Sequence, residues 1–293
     1  MHRRITLSKI KFLTDSASDI APQDEAGLGI QVIPFPVSIK GKTYLSRVDF
    51  NNEQFYEMLD AAPEIPTTSQ ITVYEYGEIF EAAYRDGYTD VINVTINSEG
   101  SGTYNSACLA AQMFYEGHPD VKDFHIHNID SQGYSCHYGY AVAEGARMAR
   151  DGKSVDEILA FINDWVEHGV VYFVPYTLKY AGKSGRIPSA AAFVGELVGL
   201  KPIMRIHDHV IVTDDKVRGE KKIIPAVTAK TKADISEGSP YTVIYGSHPE
   251  DADAMEKALT EVLGYPPAGR AQISAAIAIN AGPRVVGVGF RGK

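Results

Sequence analysis

Two hydroxyl-rich stretches carry the residue types best suited to holding an anion: Pro-Thr-Thr-Ser-Gln at 66–70 and Gly-Ser-Gly-Thr-Tyr-Asn-Ser at 100–106. The second follows the apolar run Val91-Ile92-Asn93-Val94-Thr95-Ile96. It opens a small-residue stretch, Ala107-Cys108-Leu109-Ala110-Ala111, of helical character. A strand that turns through Ser-Gly into a helix offers hydroxyls and unpaired backbone N–H groups at a positive dipole end, which suits a carboxylate or a phosphate. Two readings of Ser101 stand side by side, a helix N-cap and nothing more, or a ligand contact. Asp15, in Thr14-Asp15-Ser16, is likewise either a turn-forming Asx residue or a site residue.

Other chemistries fail on spacing. Gly182-Lys183-Ser184 resembles the end of a P-loop, but the glycine needed five residues earlier is Thr177. Gly100-Ser101-Gly102 approaches a nucleophile elbow, whose first glycine is replaced by Glu99. No dinucleotide-binding glycine motif follows the first strand, and Asp15 lacks a phosphatase-like second aspartate, since Ala17 stands there. The pairs His125/His127 and His207/His209 have a spacing a metal site could use. Neither shows an obvious carboxylate or cysteine companion, so no metal is expected. Trp165 and the tyrosines of 134–140 lie at helical spacings and read as packing.

The elements that must position these loops alternate strand and helix. A strand at 10–13 enters the turn at 14–16, and Asn51 with Gln54 makes a capping-box start for a helix. Further helices are expected over 74–85, from the Ser-Gly turn onward, and up to Asp151-Gly152. Strands are expected at 91–96 and 124–129. Ser154 and Glu157 form a second capping box for a helix to His168, with Gly169 as its stop. Repeated strand–turn–helix units imply right-handed crossovers and a mostly parallel sheet. The turns at 14–16, 97–101 and 130–131 then converge at carboxyl strand ends, where open α/β sheets bind ligands.

From Val170 the rhythm changes. A strand at 170–174 precedes short helices over 177–200, broken at 182–188. A hairpin of 202–206 and 210–213 is expected around Asp208-His209. A helix at 221–235, a strand at 241–245, a helix at 252–263 and final strands at 272–279 and 285–290 complete a mixed or antiparallel sheet. The expected organisation is two α/β domains. Residues 1–168 form a three-layer α/β/α unit bearing the loops, and residues 169–293 a unit that completes a cleft.

Composition bounds the partners. A chain of 293 residues with 44% hydrophobic and 22% charged residues is ordinary for a folded soluble protein. The net charge of −9 argues against nucleic acid. No apolar run approaches the roughly 18 residues of a membrane span. The first eight residues lack the apolar core of a secretory signal, and two cysteines are too few for a disulfide framework. A cytoplasmic address is expected.

The motifs together resemble the DegV family of bacterial fatty-acid-binding proteins. The match runs in order through Thr14-Asp15-Ser16, the 66–70 loop, Ser101-Gly102-Thr103-Tyr104, Asp130-Ser131, Gly185-Arg186-Ile187, Leu200-Lys201-Pro202-Ile203 and Gly282-Pro283. The resemblance implies a long-chain fatty acid, of the C14–C18 class, buried between two α/β domains. Its carboxylate would be held by Thr68, Ser69 and Ser101, with the Gly102 and Thr103 amides as further donors. Asp15, Ser16, Arg186 and Asn280 would support the headgroup or face a partner. Members of this family are regarded as binding subunits of a fatty acid kinase, so the implied role is a non-catalytic carrier without a cofactor. Rival readings are a kinase- or hydrolase-type enzyme acting on a small anionic metabolite, and a lipid-sensing regulator. The chain departs from the family pattern at Asn280, where a histidine is usual, and at Ile71, Gly100 and Ser184.

Overall fold

The computed structural model describes residues 8–187 and 199–293. Its first sheet is built from β1 (Ile10–Asp15), β2 (Gln31–Ile33), β6 (Asp90–Thr95) and β7 (His125–Asp130), all parallel in the order β2-β1-β6-β7. Every residue of β6 is buried, as expected for a parallel strand covered on both faces. The covering helices are α1 (Pro22–Leu28), α3 (Val73–Arg85), α4 (Thr103–Gly117), α5 (Cys136–Arg150) and α6 (Val155–His168). Within this layer α3 packs on α4, and α5 packs on both α6 and α1. Both capping boxes are formed, at Asn51/Gln54 for α2 (Asn52–Asp60) and at Ser154/Glu157 for α6.

The second sheet has six strands in the order β10-β9-β8-β13-β11-β12. They are β8 (Gly169–Pro175), β9 (Leu200–His207), β10 (Val210–Arg218), β11 (Tyr241–Tyr245), β12 (Gly269–Gln272) and β13 (Val285–Arg291). Only the β11–β12 pair is parallel. Alternation along β8 sorts its side chains by face. Val170, Tyr172 and Val174 join a core with α8 (Ile223–Asp234) and α9 (Pro249–Leu263). Val171 and Phe173 point to the opposite core, which is shared with residues from the first half of the chain.

That shared core holds a small antiparallel sheet, β4-β3-β5, made of β3 (Pro36–Ile39), β4 (Lys42–Leu45) and β5 (Thr67–Thr68). Val37, Ile39, Phe55 and Leu59 from this region meet Phe173, Met204 and Ile244 of the six-stranded sheet. The two halves are therefore joined through a common apolar layer.

Two sequence expectations are corrected. The strand expected over 272–279 is instead the end of β12 followed by α10 (Ala275–Ala281). A short apolar run does not distinguish strand from helix by period, and its four alanines favour the helix. A short helix, α7 (Ala181–Ser184), runs through the Gly-Lys-Ser expected to break, and it stops at Gly185, whose φ is +70°. The remaining 188–198 part of that expectation lies outside the described residues. Gly169 does stop α6, as expected, in an extended conformation that begins β8 directly.

Candidate functional site

A cavity of about 230 Å³ lies between the two halves. Its polar end is formed by Thr68, Ser69, Gln70, Ser101, Gly102, Tyr134, Arg186 and Asn280, and its body by apolar side chains including Phe35, Val171, Phe173, Ile206, Ile244 and Ile277. The loops reach this point because β5 pairs with β3, setting Thr68 beside Val37, and because β6 ends at the turn that leads to Ser101. A second concavity, of about 580 Å³, continues outward from Gly100, Ser101, Gly102, Tyr134 and Arg186. The polar end thus faces the exterior, while the apolar body is walled by core residues.

Ser101 is tied to Thr103 at the polar end. Thr103 Oγ1 accepts from the Ile71 amide at 3.3 Å and lies 2.9 Å from Ser101 Oγ. The Thr103 amide also donates to Ser101 Oγ, at 3.3 Å. Ser101 Oγ thus accepts from the Thr103 amide and shares one proton position with the Thr103 hydroxyl, while the side chain lines the cavity. Thr103 is itself fully buried behind Ser101 and does not line the cavity. Its amide is already used, whereas the Gly102 amide has no acceptor among the described residues. The Ser69 amide donates to Pro36 O at 3.1 Å, so the loop is pinned by its backbone, and Thr68 and Ser69 line the cavity. Gln70 Nε2 donates to Ser106 Oγ at 2.9 Å. A Cβ at position 102 would fall 2.1 Å from Gln70 Oε1, so any side chain there would push the Gln70 amide aside.

The remaining sequence-selected residues take different places. Arg186 Nε donates to Gly100 O at 3.4 Å and lines the cavity. Asn280, on the last turn of α10, also lines it and donates from Nδ2 to Ala276 O at 2.8 Å. Asp15 lies outside the cavity lining and is fully buried at the end of β1. It accepts from the Ala17 amide at 3.0 Å, the Ile96 amide at 2.7 Å and the Tyr138 hydroxyl at 2.5 Å. Burial pushes its carboxyl up to about 6, against the pull of those donors. Asp15 therefore ties β1 to the end of β6. Ser16 Oγ accepts from the Phe35 amide at 3.0 Å and so fixes a side chain that does line the cavity.

The histidine pairs do have carboxylate neighbours, contrary to the sequence expectation. His127 Nε2 is 3.1 Å from Asp90 Oδ1, and His209 Nδ1 is 3.9 Å from Asp130 Oδ2. No group of three or more His, Cys, Asp or Glu side chains suited to a metal occurs among the described residues. Trp165, Tyr138 and Tyr140 pack in the parallel-sheet core. Tyr134 packs against both cores too and, beyond that expectation, lines both concavities. Its place directly after the β7 turn, at the convergent sheet edge, is the signal by which sequence reasoning could have found it.

Comparison with known proteins places this architecture. The family model described as an uncharacterised protein of the DegV family matches residues 9–293. The chain belongs to the DegV family. It is 33% identical over 283 residues to a DegV domain-containing protein of Clostridium perfringens, covering 96% of this chain and 98% of that one. A DegV domain-containing protein of Caldanaerobacter subterraneus is 32% identical over 292 residues, covering 98% and 100%. Among solved structures, a stearic-acid-binding protein from Eubacterium ventriosum superposes with a TM-score of 0.87 at 26% identity, covering 97% of this chain and 98% of that one. A DegV family protein from Thermus thermophilus, described by its fatty acid binding, gives a TM-score of 0.82 at 28% identity, covering 97% and 100%. The two-sheet α/β arrangement seen here is thus the DegV arrangement. No helix among the described residues is long and apolar enough to cross a membrane.

Proposed function

We propose that this chain is a fatty-acid carrier that binds one long-chain acid between its two halves and presents the carboxylate outward to a partner kinase. The observation that carries this reading is the polarity of the cavity: donor groups collect at the end that opens outward, and an apolar channel leads inward from them. Solved relatives described as binding stearic acid and other fatty acids support the same ligand class.

The energetics fit an amphiphile. A carboxylate leaves water at little cost only if hydrogen bonds replace its hydration, each charge-assisted bond being worth about 1.5–3 kcal/mol. Thr68, Ser69, Ser101 and the Gly102 amide supply such donors, with Arg186 and Asn280 beside them. Each methylene taken into the apolar body contributes about 0.8 kcal/mol, so the tail drives binding and the headgroup orients it. Thr103 acts through Ser101, and Asp15 and Ser16 hold the loops. We read residues 1–168 as the domain that bears the headgroup loops and residues 169–293 as the domain that completes the cleft. Transfer of phosphate would be left to the partner, with this chain supplying a shielded acyl chain and an accessible carboxylate.

Native mass spectrometry of the purified protein tests the reading. The expected result is a co-purified C14–C18 acid, or stoichiometric uptake of palmitic acid after delipidation. Absence of both would overturn it. ATP-dependent turnover of the acid by the isolated chain would overturn the carrier role while leaving the ligand in place.

A further inference from the structure

Tyr134 stands at the polar end of the cavity with its hydrogen bonding half complete. Asn97 is fully buried behind it, and the orientation of its amide is fixed by the backbone, because Asn97 Oδ1 accepts from the Glu99 amide at 3.0 Å. The same Oδ1 receives His209 Nδ1 at 2.9 Å, so that nitrogen carries a proton. Nδ2 is thereby turned to the other side, where it donates to Tyr134 Oη at 3.2 Å and to His209 O at 2.8 Å. Since Asn97 Nδ2 can only donate, the phenol is the acceptor in that bond, and its own proton has no acceptor among the described residues. Its ring stands over Gly100: a Cβ there would lie 2.3 Å from the phenol oxygen. Burial raises the phenol's pKa, which keeps it protonated at neutral pH.

We infer that Tyr134 is a further headgroup donor, its hydroxyl aimed by Asn97 and His209 at the carboxylate of the bound acid. The inference rests on the carrier reading above and adds a residue to that site. The reasoning is one of complementarity: a phenol whose lone pair is occupied from behind, placed beside Ser101 and Gly102 in the same lining, has only a donor to offer a ligand. It also gives the bare position 100 a purpose, because any side chain there would displace the phenol from this place.

The test compares wild type, Tyr134→Phe and Gly100→Ala for binding of palmitic acid and of hexadecan-1-ol, which has the same chain without the carboxylate. Loss of one charge-assisted donor should weaken acid binding roughly ten-fold in Tyr134→Phe. Alcohol affinity and the thermal midpoint should stay near the wild-type values. Gly100→Ala, which keeps the hydroxyl but pushes it aside, should reproduce the selective loss. Unchanged acid affinity in Tyr134→Phe, or equal loss for acid and alcohol, overturns the role assigned to Tyr134. Failure of the wild type to bind palmitic acid overturns the carrier reading itself, and this inference with it.

Discussion

Ser101 shows how a short polar side chain is prepared for a ligand. The Thr103 amide donates to its oxygen and the Thr103 hydroxyl lies 2.9 Å away, so the side chain is held in place at the cavity wall. Replacing it with alanine removes a donor without disturbing an apolar contact. Ser101→Ala should weaken binding of a long-chain acid at least several-fold, since a hydrogen bond to a charged group is worth about 1.5–3 kcal/mol, with a smaller loss of stability from the freed Thr103 groups. Isothermal titration together with a urea melt would check both. Unchanged affinity at intact stability would remove Ser101 from the site. Asp15 illustrates the contrasting use of a polar residue. It was open in the sequence whether Asp15 formed a turn or met a ligand, and in the fold it accepts from three groups around it, two of them backbone amides that only β1, β6 and the following turn bring together. Sequence spacing cannot separate these outcomes, because both place a carboxylate at a strand end.

At the scale of elements, the legible parts were those with a sustained period or a capping signature. The helices announced by Asn51/Gln54 and Ser154/Glu157, the strands β6 and β11, and the β9–β10 hairpin all fall close to where the residues put them. The illegible parts are short. Strands β2 to β5 span two to four residues each, too few to show alternation. Yet β3 and β5 deliver Thr68 to the site. Helix α10 is not legible in the sequence because alanine and isoleucine in close mixture satisfy either structure locally. What decides is tertiary: the Ser274 amide at its start is taken by Asp19 Oδ1 at 2.8 Å, and Ala276 packs on the parallel-sheet core. This helix presents Ile277 to the apolar body and Asn280 to the polar end. Ile277→Trp should therefore obstruct the channel while sparing the headgroup loops. Affinity for a C18 acid is expected to fall by more than ten-fold and that for a C10 acid much less, measured by competition with a fluorescent acid. Equal losses for both lengths would show that the tail does not pass Ile277.

On the scale of the whole molecule, the halves meet through buried groups as well as through apolar area. Asp19, on the first half, is almost fully buried and caps a helix of the second, and burial pushes its carboxyl up to about 7. The sign of the linkage follows from that rise. Between pH 4 and 7 the folded chain retains a proton at Asp19 that the unfolded chain has released, so this group's contribution to stability is largest below pH 4. The contribution declines as pH rises to about 7 and is constant above it. Asp19→Asn, whose amide oxygen can still accept from Ser274, should flatten that decline. The difference in unfolding free energy between wild type and variant, followed from pH 4 to 8, is the measurement. A difference that does not vary with pH would rule out titration of Asp19 in this window. The placement of aromatic residues has a further consequence for such measurements. Trp165 is the sole tryptophan, buried in the parallel-sheet core against Tyr140 at 4.3 Å, with its indole N–H on His137 O at 2.7 Å. The six-stranded sheet contains tyrosines but no such fluorophore. Indole emission is thus a built-in reporter of one half alone, and comparing it with far-ultraviolet dichroism distinguishes a chain that melts as one body from one that comes apart in stages.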